Sequence, residues 1–563
     1  MGPGTCYQKV MIHQALDHWA RGSRGAWLAA AVALIAGLPG LFALPALDRD
    51  ESRFAQASAQ MLESRDYVAI NFQDEPRDKK PVGIYWLQAL SVAALSAPEA
   101  RQIWAYRIPS LLGAMIAAAA CAWGAAAFFG AGRGFLAGAI LGATFLLSTE
   151  ASIAKTDAVL CGCVTLMMAA FARLYASSRG EIQTGRVTQL LFWLALAGAA
   201  LVKGPVGPLI AILTGLMLWA WDRKAPWLRT LGWGWGIVLL AAMLGPWAAA
   251  ITVATDGAFW SGAVGGDLAP KLAGGHESHG APPGLHLLLS PLLTFPAALL
   301  LPAALVFGWQ ARERSGVRFA VAWLVPTWLM FELLPTKLVH YTLPTFAALA
   351  WLMVGALGER MGERVRWAGA GAIGLAAAAF AAVSLWGAGE YGDRGDTPAA
   401  LLAAALFIGT GLAGGLALVR GPSLRGLAAV LALGIAAHGV LVGMLAPGLE
   451  ALWLSQRTAQ ALRAGGLDPR NGVTPGPVAV AGFGEPSLVF SLGTLTELGA
   501  PEAAAAALAS GRPAIVEQRV EPTFRAAARA RGIEPRLAGV VAGRNYSDGD
   551  EERLLLFGAP VRP

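Results

Sequence analysis

Residues 48–86 read DRDESRFAQASAQMLESRDYVAINFQDEPRDKKPVGIYW, a short stretch that gathers Asp48, Asp50, Glu51, Arg53, Arg77, Lys79 and Lys80. Lys79-Lys80-Pro81 leads into an apolar segment, which holds the two ammonium groups at headgroup level, where cations suit a lipid phosphate. From Glu51 to Leu62 the apolar residues Phe54, Ala57, Met61 and Leu62 recur at helical spacing, predicting a surface-lying helix. If that helix includes Asp50, then Asp50 and Arg53 lie one turn apart and share a face. A solvated loop with snorkelling side chains is the plainer alternative.

Other ionisable residues punctuate apolar runs. Lys155 and Asp157 lie in SIAKTDAVL, Lys203 in ALVKGPVGPLI, and Lys337, His340 and Tyr341 in ELLPTKLVHYTLP. The stretch 255–285 adds Asp256, Asp267, Lys271, His276, Glu277 and His279. Singly, each reads as an ordinary helix-end charge. Ionisable groups beside lipid are costly, however, so each is a functional candidate. The histidines of HESHGAP could join a carboxylate on a divalent metal, but their spacing matches no strong metal motif, and a mobile polar loop is the favoured reading.

The elements that must position these groups are membrane spans. The chain has 563 residues, 56% hydrophobic and 14% charged, with 20 Trp and 69 Gly and a mean hydropathy of +0.54. That balance excludes a soluble enzyme, a disordered chain and a disulfide scaffold. Apolar runs fall near 27–47, 108–129, 134–151, 157–176, 188–202, 205–221, 231–254, 286–308, 319–334, 341–357, 367–388, 398–419 and 426–446. These predict about 13 transmembrane helices. The run 81–97 is at the lower length limit for spanning. Treating it as interfacial puts the arginine-bearing loops (Arg133; Arg179 and Arg186; Arg223 and Arg229; Arg312 to Arg318; Arg360 to Arg366; Arg420 and Arg425) on the cytoplasmic side, as the positive-inside rule requires. Tyr85 and Trp86 then anchor the interface. Arg21 and Arg24 precede the first run, which predicts an uncleaved first span; cleavage near Ala43 is the alternative.

This topology places the first loop (48–107), the loop 255–285 and the tail on the outer face. It predicts one outward-facing polar cavity holding carboxylates and several cations. The net charge of +7 then reflects topology, and with no basic stripe or aromatic platform nucleic acid is not an expected partner. Cys121, Cys161 and Cys163 read as buried small hydrophobes, and no internal repeat is visible. The chain divides into a membrane domain, 1–449, and a small soluble α/β domain, 450–563. The tail carries β-like runs at Pro477–Phe483, Ala514–Val520, Leu537–Val541 and Arg553–Phe557, with helical stretches at 501–510 and 523–531.

At these residues the sequence resembles the polytopic C-type glycosyltransferases that use polyprenyl-phosphate sugars, above all the bacterial lipid A aminoarabinose transferases and, more distantly, protein O-mannosyltransferases. The carriers are DESRFAQ (50–56), KKPVGIYW (79–86), KTDAVL around Asp157, LVKGP (201–205), SHGAP (278–282) and TKLVHYTLP (336–344), with GFGEPSLVF and GRNYSDG in the tail. The resemblance covers most of the chain. It implies Asp50 as the catalytic carboxylate and Asp157 as a second acidic residue of the same cavity. It implies Lys80, Arg53, Lys203, Lys337 and Tyr341 at the donor phosphate, and Lys79, Tyr85, His279 and His340 as further cavity residues. His279 matches a histidine that can hold a metal in the aminoarabinose enzymes. Its partner there is a Glu where this chain has Lys79, so no cofactor is assigned and a divalent metal is doubtful.

The chemistry implied is transfer of a sugar from a polyprenyl phosphate to a lipid or protein acceptor at the periplasmic face of a bacterial inner membrane. Cations would stabilise the departing phosphate, and a carboxylate would accept the proton of an acceptor hydroxyl. Direct displacement would invert the anomeric centre. A transporter or flippase for a polar lipid is the rival reading, favoured only by the short spans around Lys203-Gly204-Pro205. A non-catalytic scaffold would leave the polar loop unexplained.

Overall fold

The computed structural model describes residues 16–270, 280–421, 423–472 and 474–558. The first half holds helices α1 (Arg24–Ala43), α2 (Asp50–Ser64), α3 (Gly83–Leu95), α4 (Ile103–Phe129), α5 (Ala131–Gly142), α6 (Phe145–Glu150), α7 (Thr156–Ser178), α8 (Arg186–Lys203), α9 (Val206–Asp222) and α10 (Trp233–Ala254). Then follow α11 (Leu285–Leu293), α12 (Leu301–Gln310), α13 (Ser315–Leu333), α14 (Phe346–Ala356), α15 (Glu363–Tyr391), α16 (Thr397–Val419) and α17 (Leu424–Val440). Every apolar run of the sequence is helical. Among the described residues, nine helices are long and apolar enough to cross a membrane, or ten if the bent pair around Phe295 is one span.

The count of thirteen is therefore not confirmed, and the shortfall has local causes. The run 134–151 breaks between α5 and α6, and 205–221 yields the 17-residue α9. The run 341–357 yields only the 11-residue α14, buried along its whole length. A short apolar helix of that kind suits a protein core as well as lipid. The run 81–97 forms the 13-residue α3, short of the roughly 20 residues a span needs. One face of α3 packs inward through Ile84, Tyr85, Gln88 and Val92, while Leu87, Leu90 and Leu95 stay exposed.

The helix predicted from Phe54, Ala57 and Met61 is α2, which starts at Asp50 and buries those three residues. Its start is fixed by one buried ion pair. The Glu51 carboxylate accepts from Arg107 Nε at 2.8 Å and from the amides of Leu47 (2.8 Å) and Ala154 (2.6 Å). Arg107, completely buried, also donates to the carbonyls of Leu41, Leu44 and Pro45, which satisfies the open C-terminal end of α1. Helices α4 and α7 meet backbone to backbone. A Cβ on Gly113 would lie 2.6 Å from the Ala158 carbonyl, and one on Gly162 would lie 2.5 Å from that of Gly113. Small residues permit this approach.

A short antiparallel pair, β1 (Asn71–Phe72) and β2 (Glu75–Pro76), lies between α2 and α3, and the tail carries a five-stranded sheet in the order β4-β3-β5-β7-β6, from β3 (Ala479–Ala481), β4 (Glu497–Gly499), β5 (Ala514–Glu517), β6 (Arg536–Arg544) and β7 (Glu551–Gly558). The strands β4, β3 and β5 run parallel, and β7 is antiparallel to both β5 and β6. Helices α18 (Leu454–Ala464) and α19 (Pro486–Leu492) cover one face with Leu462 and Leu488 against Val480, Ile515 and Leu554. Helices α20 (Pro501–Ala509) and α21 (Glu521–Arg529) cover the other with Leu508 and Phe524 against Val516 and Phe557. Burial on both faces explains the continuous apolar runs of β5 and β7.

Candidate active site

Two connected cavities open where α2, α7, α8 and the segment 334–344 converge. The more polar one, about 290 Å³, is lined by Asp48, Arg49, Asp50, Arg53, Arg77, Lys79, Lys80, Lys155, Asp157, Lys203, Asp267, His340 and Tyr341, among others. Seven of these side chains are cationic and four are carboxylates, so the cavity favours an anion. The second, about 220 Å³, shares Lys79, Lys80, Asp157, Lys203, Asp267, His340 and Tyr341 and extends over Leu160, Val206, Phe259, Trp260, Val264 and Phe331. A polar chamber with cationic walls thus runs into an apolar groove.

The helix ends account for its central charges. Asp157 lies in the first turn of α7 and Lys203 at the last residue of α8, where helix dipoles favour each sign. Gly204 follows with φ +59°, a conformation that side chains rarely adopt, and turns the chain into α9. Lys203 Nζ donates to Asp157 Oδ1 at 2.5 Å and lies 5.5 Å from the Tyr341 ring centre. Lys155 Nζ is 3.6 Å from Asp157 Oδ2, 3.0 Å from Glu150 Oε1 and 3.3 Å from His340 Nδ1. His340 Nε2 is 3.5 Å from Asp157 Oδ1. Burial holds the His340 imidazole well below its ordinary value, so it is neutral at pH 7. Across the chamber Lys80 Nζ meets Asp267 at 2.5 Å. Arg77 lies 5.0 Å from the centre of the Phe54 ring and donates to the Tyr85 hydroxyl at 3.2 Å.

Asp50 and Arg53 both reach the chamber from the first turn of α2. The preceding residue, Arg49, has φ +59° and ψ −103°. Backbone held in so sparse a region persists only where its surroundings enforce it, and it clusters at functional sites.

The structure therefore brings together Asp50, Arg53, Lys79, Lys80, Asp157, Lys203, His340 and Tyr341. Two of the expected residues lie elsewhere. Lys337 does not line either cavity; its Nζ donates to the Leu334 carbonyl at 2.5 Å and closes the end of α13. Tyr85 is completely buried behind Arg77, a support rather than a wall. His279, with His276 and Lys271, lies outside the described residues. Glu150, which sets Lys155, carried no signal because it lies inside an apolar run. Among the described residues, one acidic group is close enough to hold a metal, namely Asp548, Asp550 and Glu552 in the tail. It is distant in sequence from the chamber residues, and Arg519 already pairs with Asp550 and Glu552.

No family model matches the chain. It is 30% identical over 430 residues, 75% of each chain, to the undecaprenyl phosphate-alpha-4-amino-4-deoxy-L-arabinose arabinosyl transferase of Pseudomonas aeruginosa strain UCBPP-PA14. It is 31% identical over 431 residues, again 75% of each, to the protein of that name from strain LESB58. Its fold matches the crystal structure of ArnT from Cupriavidus metallidurans bound to undecaprenyl phosphate, with a TM-score of 0.75 at 19% identity, covering 94% of this chain and 97% of that one. The helical membrane domain with its appended small sheet is thus the fold of a C-type glycosyltransferase. The chain belongs to the family of undecaprenyl phosphate-aminoarabinose arabinosyl transferases.

Proposed function

We propose that the protein transfers a sugar from undecaprenyl phosphate to lipid A, that the sugar is 4-amino-4-deoxy-L-arabinose, and that transfer occurs at the periplasmic face of the inner membrane. The observation that carries the site is the junction of a cation-lined chamber with an apolar groove. A polyprenyl phosphate needs both at once: cations for its phosphate and apolar surface for the first isoprene units. Lys80, Arg53 and Lys203 take the phosphate. Tyr341 packs against Lys203 at the mouth of the groove.

An acceptor oxygen attacks the anomeric carbon, the bond from that carbon to the phosphate oxygen breaks, and the electron pair leaves with undecaprenyl phosphate. The lysines and Arg53 stabilise the charge that develops on the leaving oxygen. A lipid A phosphate is already ionised, so no proton need be removed, and Asp50 orients the sugar and acceptor. For a hydroxyl acceptor Asp50 takes the proton. Asp157, pinned by Lys203, keeps the cationic wall in place. Single displacement inverts the anomeric centre. The arginine pairs at the other end of α7, such as Arg318 with Asp222, suit a cytoplasmic side opposite the chamber.

The test is transfer by the purified protein from undecaprenyl-phosphate aminoarabinose to lipid A, followed by mass spectrometry. Wild type is expected to give the modified lipid with inverted configuration, and Asp50→Asn and Lys80→Ala to give almost none. Full transfer by both variants would remove the site from the mechanism. Donor loss without modified lipid would favour hydrolysis or transport.

A further inference from the structure

The tail domain touches the first loop at both ends of α2. Toward the C-terminal end, Gln56 Nε2 donates to Thr494 Oγ1 at 2.7 Å, and the Thr494 hydroxyl donates to Glu63 at 2.6 Å. Gln73 reaches the carbonyls of Thr494 and Thr496, and Phe490 packs edge-on against Tyr106 at 5.3 Å. At the N-terminal end the contact reaches the chamber itself. The backbone N–H of Asp48 donates to the Tyr546 hydroxyl at 2.6 Å, and the Ser487 hydroxyl donates to the Asp48 carboxylate. Asp48 lines the chamber two residues before Asp50, with the positive-φ Arg49 between them.

We propose that Ser487 and Tyr546 are positioning residues for the transfer reaction: by holding Asp48 they enforce the Arg49 backbone and thereby fix where Asp50 points. Three features support this. Arg49 is the N-cap of α2 but provides no side-chain cap, so its own side chain does not hold its unusual backbone. Both oxygens of the Glu51 carboxylate are taken up by Arg107 and the amides of Leu47 and Ala154, which anchors the chain on either side and leaves Asp48 as the residue between them that the tail holds. The hydroxyl of Ser487 is itself braced by Ser455 Oγ at 2.6 Å, so the latch is backed by the packed interior of the tail. A displacement of about 1 Å at a reacting group costs up to about 100-fold in rate.

This inference rests on the proposed transferase activity for its kinetic arm only. In that arm, Ser487→Ala and Tyr546→Phe are expected to lower kcat about tenfold with donor KM unchanged, and Asp48→Asn combined with Ser487→Ala is expected to be no slower than the worse single variant. In the second arm, amide hydrogen exchange on the full-length protein is expected to quicken at residues 48–53 in both tail variants and to stay unchanged at 160–164 of α7. Unchanged exchange, unchanged kcat, or independent additive losses in the double variant would each overturn the latch. If wild type transfers no sugar, the functional reading fails, and the exchange arm alone decides the latch.

Discussion

Two buried ionic groups lie near the start of α2, and they are built differently. In the pair of Arg107 and Glu51, both side chains are fully buried and both carboxylate oxygens are satisfied by guanidinium and backbone donors. Around Asp157, by contrast, one carboxylate faces two lysines and a neutral histidine at 2.5 to 3.6 Å, and the group opens onto a cavity. Glu150 Oε2 in the same cluster is buried without a hydrogen-bond partner among the described residues. A closed and satisfied ion pair fixes the chain. A cluster with an unsatisfied buried carboxylate oxygen, facing a chamber of seven cations and four carboxylates, is suited to a ligand.

The sharpest way to break the comparison is to remove one member of the closed pair. Arg107→Ala strands a buried carboxylate and several carbonyls, and a loss of about 3–5 kcal/mol is expected, read as a collapse of the detergent melting temperature and of membrane yield. Asp50→Asn should do the reverse: melting unchanged within error, and transfer to lipid A reduced at least about 10²-fold as sugar and acceptor lose their orientation. Asp157→Asn falls between them, with transfer reduced about 10²-fold and a measurable drop in melting temperature as Lys203 loses its partner. If Arg107→Ala folded normally and Asp157→Asn did not, the roles of the two groups would be exchanged.

A smaller effect concerns pH. Burial pushes the Asp48 carboxyl up to about 7 from 3.8, with Glu485 adding repulsion and the Ser487 and Tyr546 hydroxyls opposing it. The folded state then binds this proton more tightly than the unfolded state, so the seam's stability is fullest below about pH 4 and declines as pH rises to about 7. After correction for intrinsic rates, exchange at residues 48–53 should be faster at pH 8 than at pH 6, and Asp48→Asn should abolish the difference. Tyr85→Phe removes only an acceptor for Arg77 and is expected to cost about 1 kcal/mol or less, with transfer within a few fold of wild type.

Much of this site was legible from the chain. Asp50 with Arg53, Lys79-Lys80 and Asp157 with Lys203 were visible because charges at the ends of apolar runs are few and local spacing fixes their faces. The helix through Phe54, Ala57 and Met61 followed from period alone. What escaped was set by contacts distant in sequence. Arg107 shortened the predicted span because a charge lowers hydropathy even when a buried partner neutralises it, so α4 starts earlier than the run 108–129. Lys337 shared the composition of a phosphate ligand but turns back to its own helix end, a choice that no spacing reveals. Strand β4 and helix α19 were missed because three-residue and seven-residue elements carry too few periods to register.

The seam at Asp48 also imposes an order of assembly. Asp48 meets Ser487 and Tyr546 across 439 and 498 residues of sequence. The first loop emerges early in synthesis and is separated from its partners by the whole membrane domain. The chamber's wall can close only after nearly the last strand of the tail has been made, so a chain cut short before Ser487 would insert its helices and still lack a finished site.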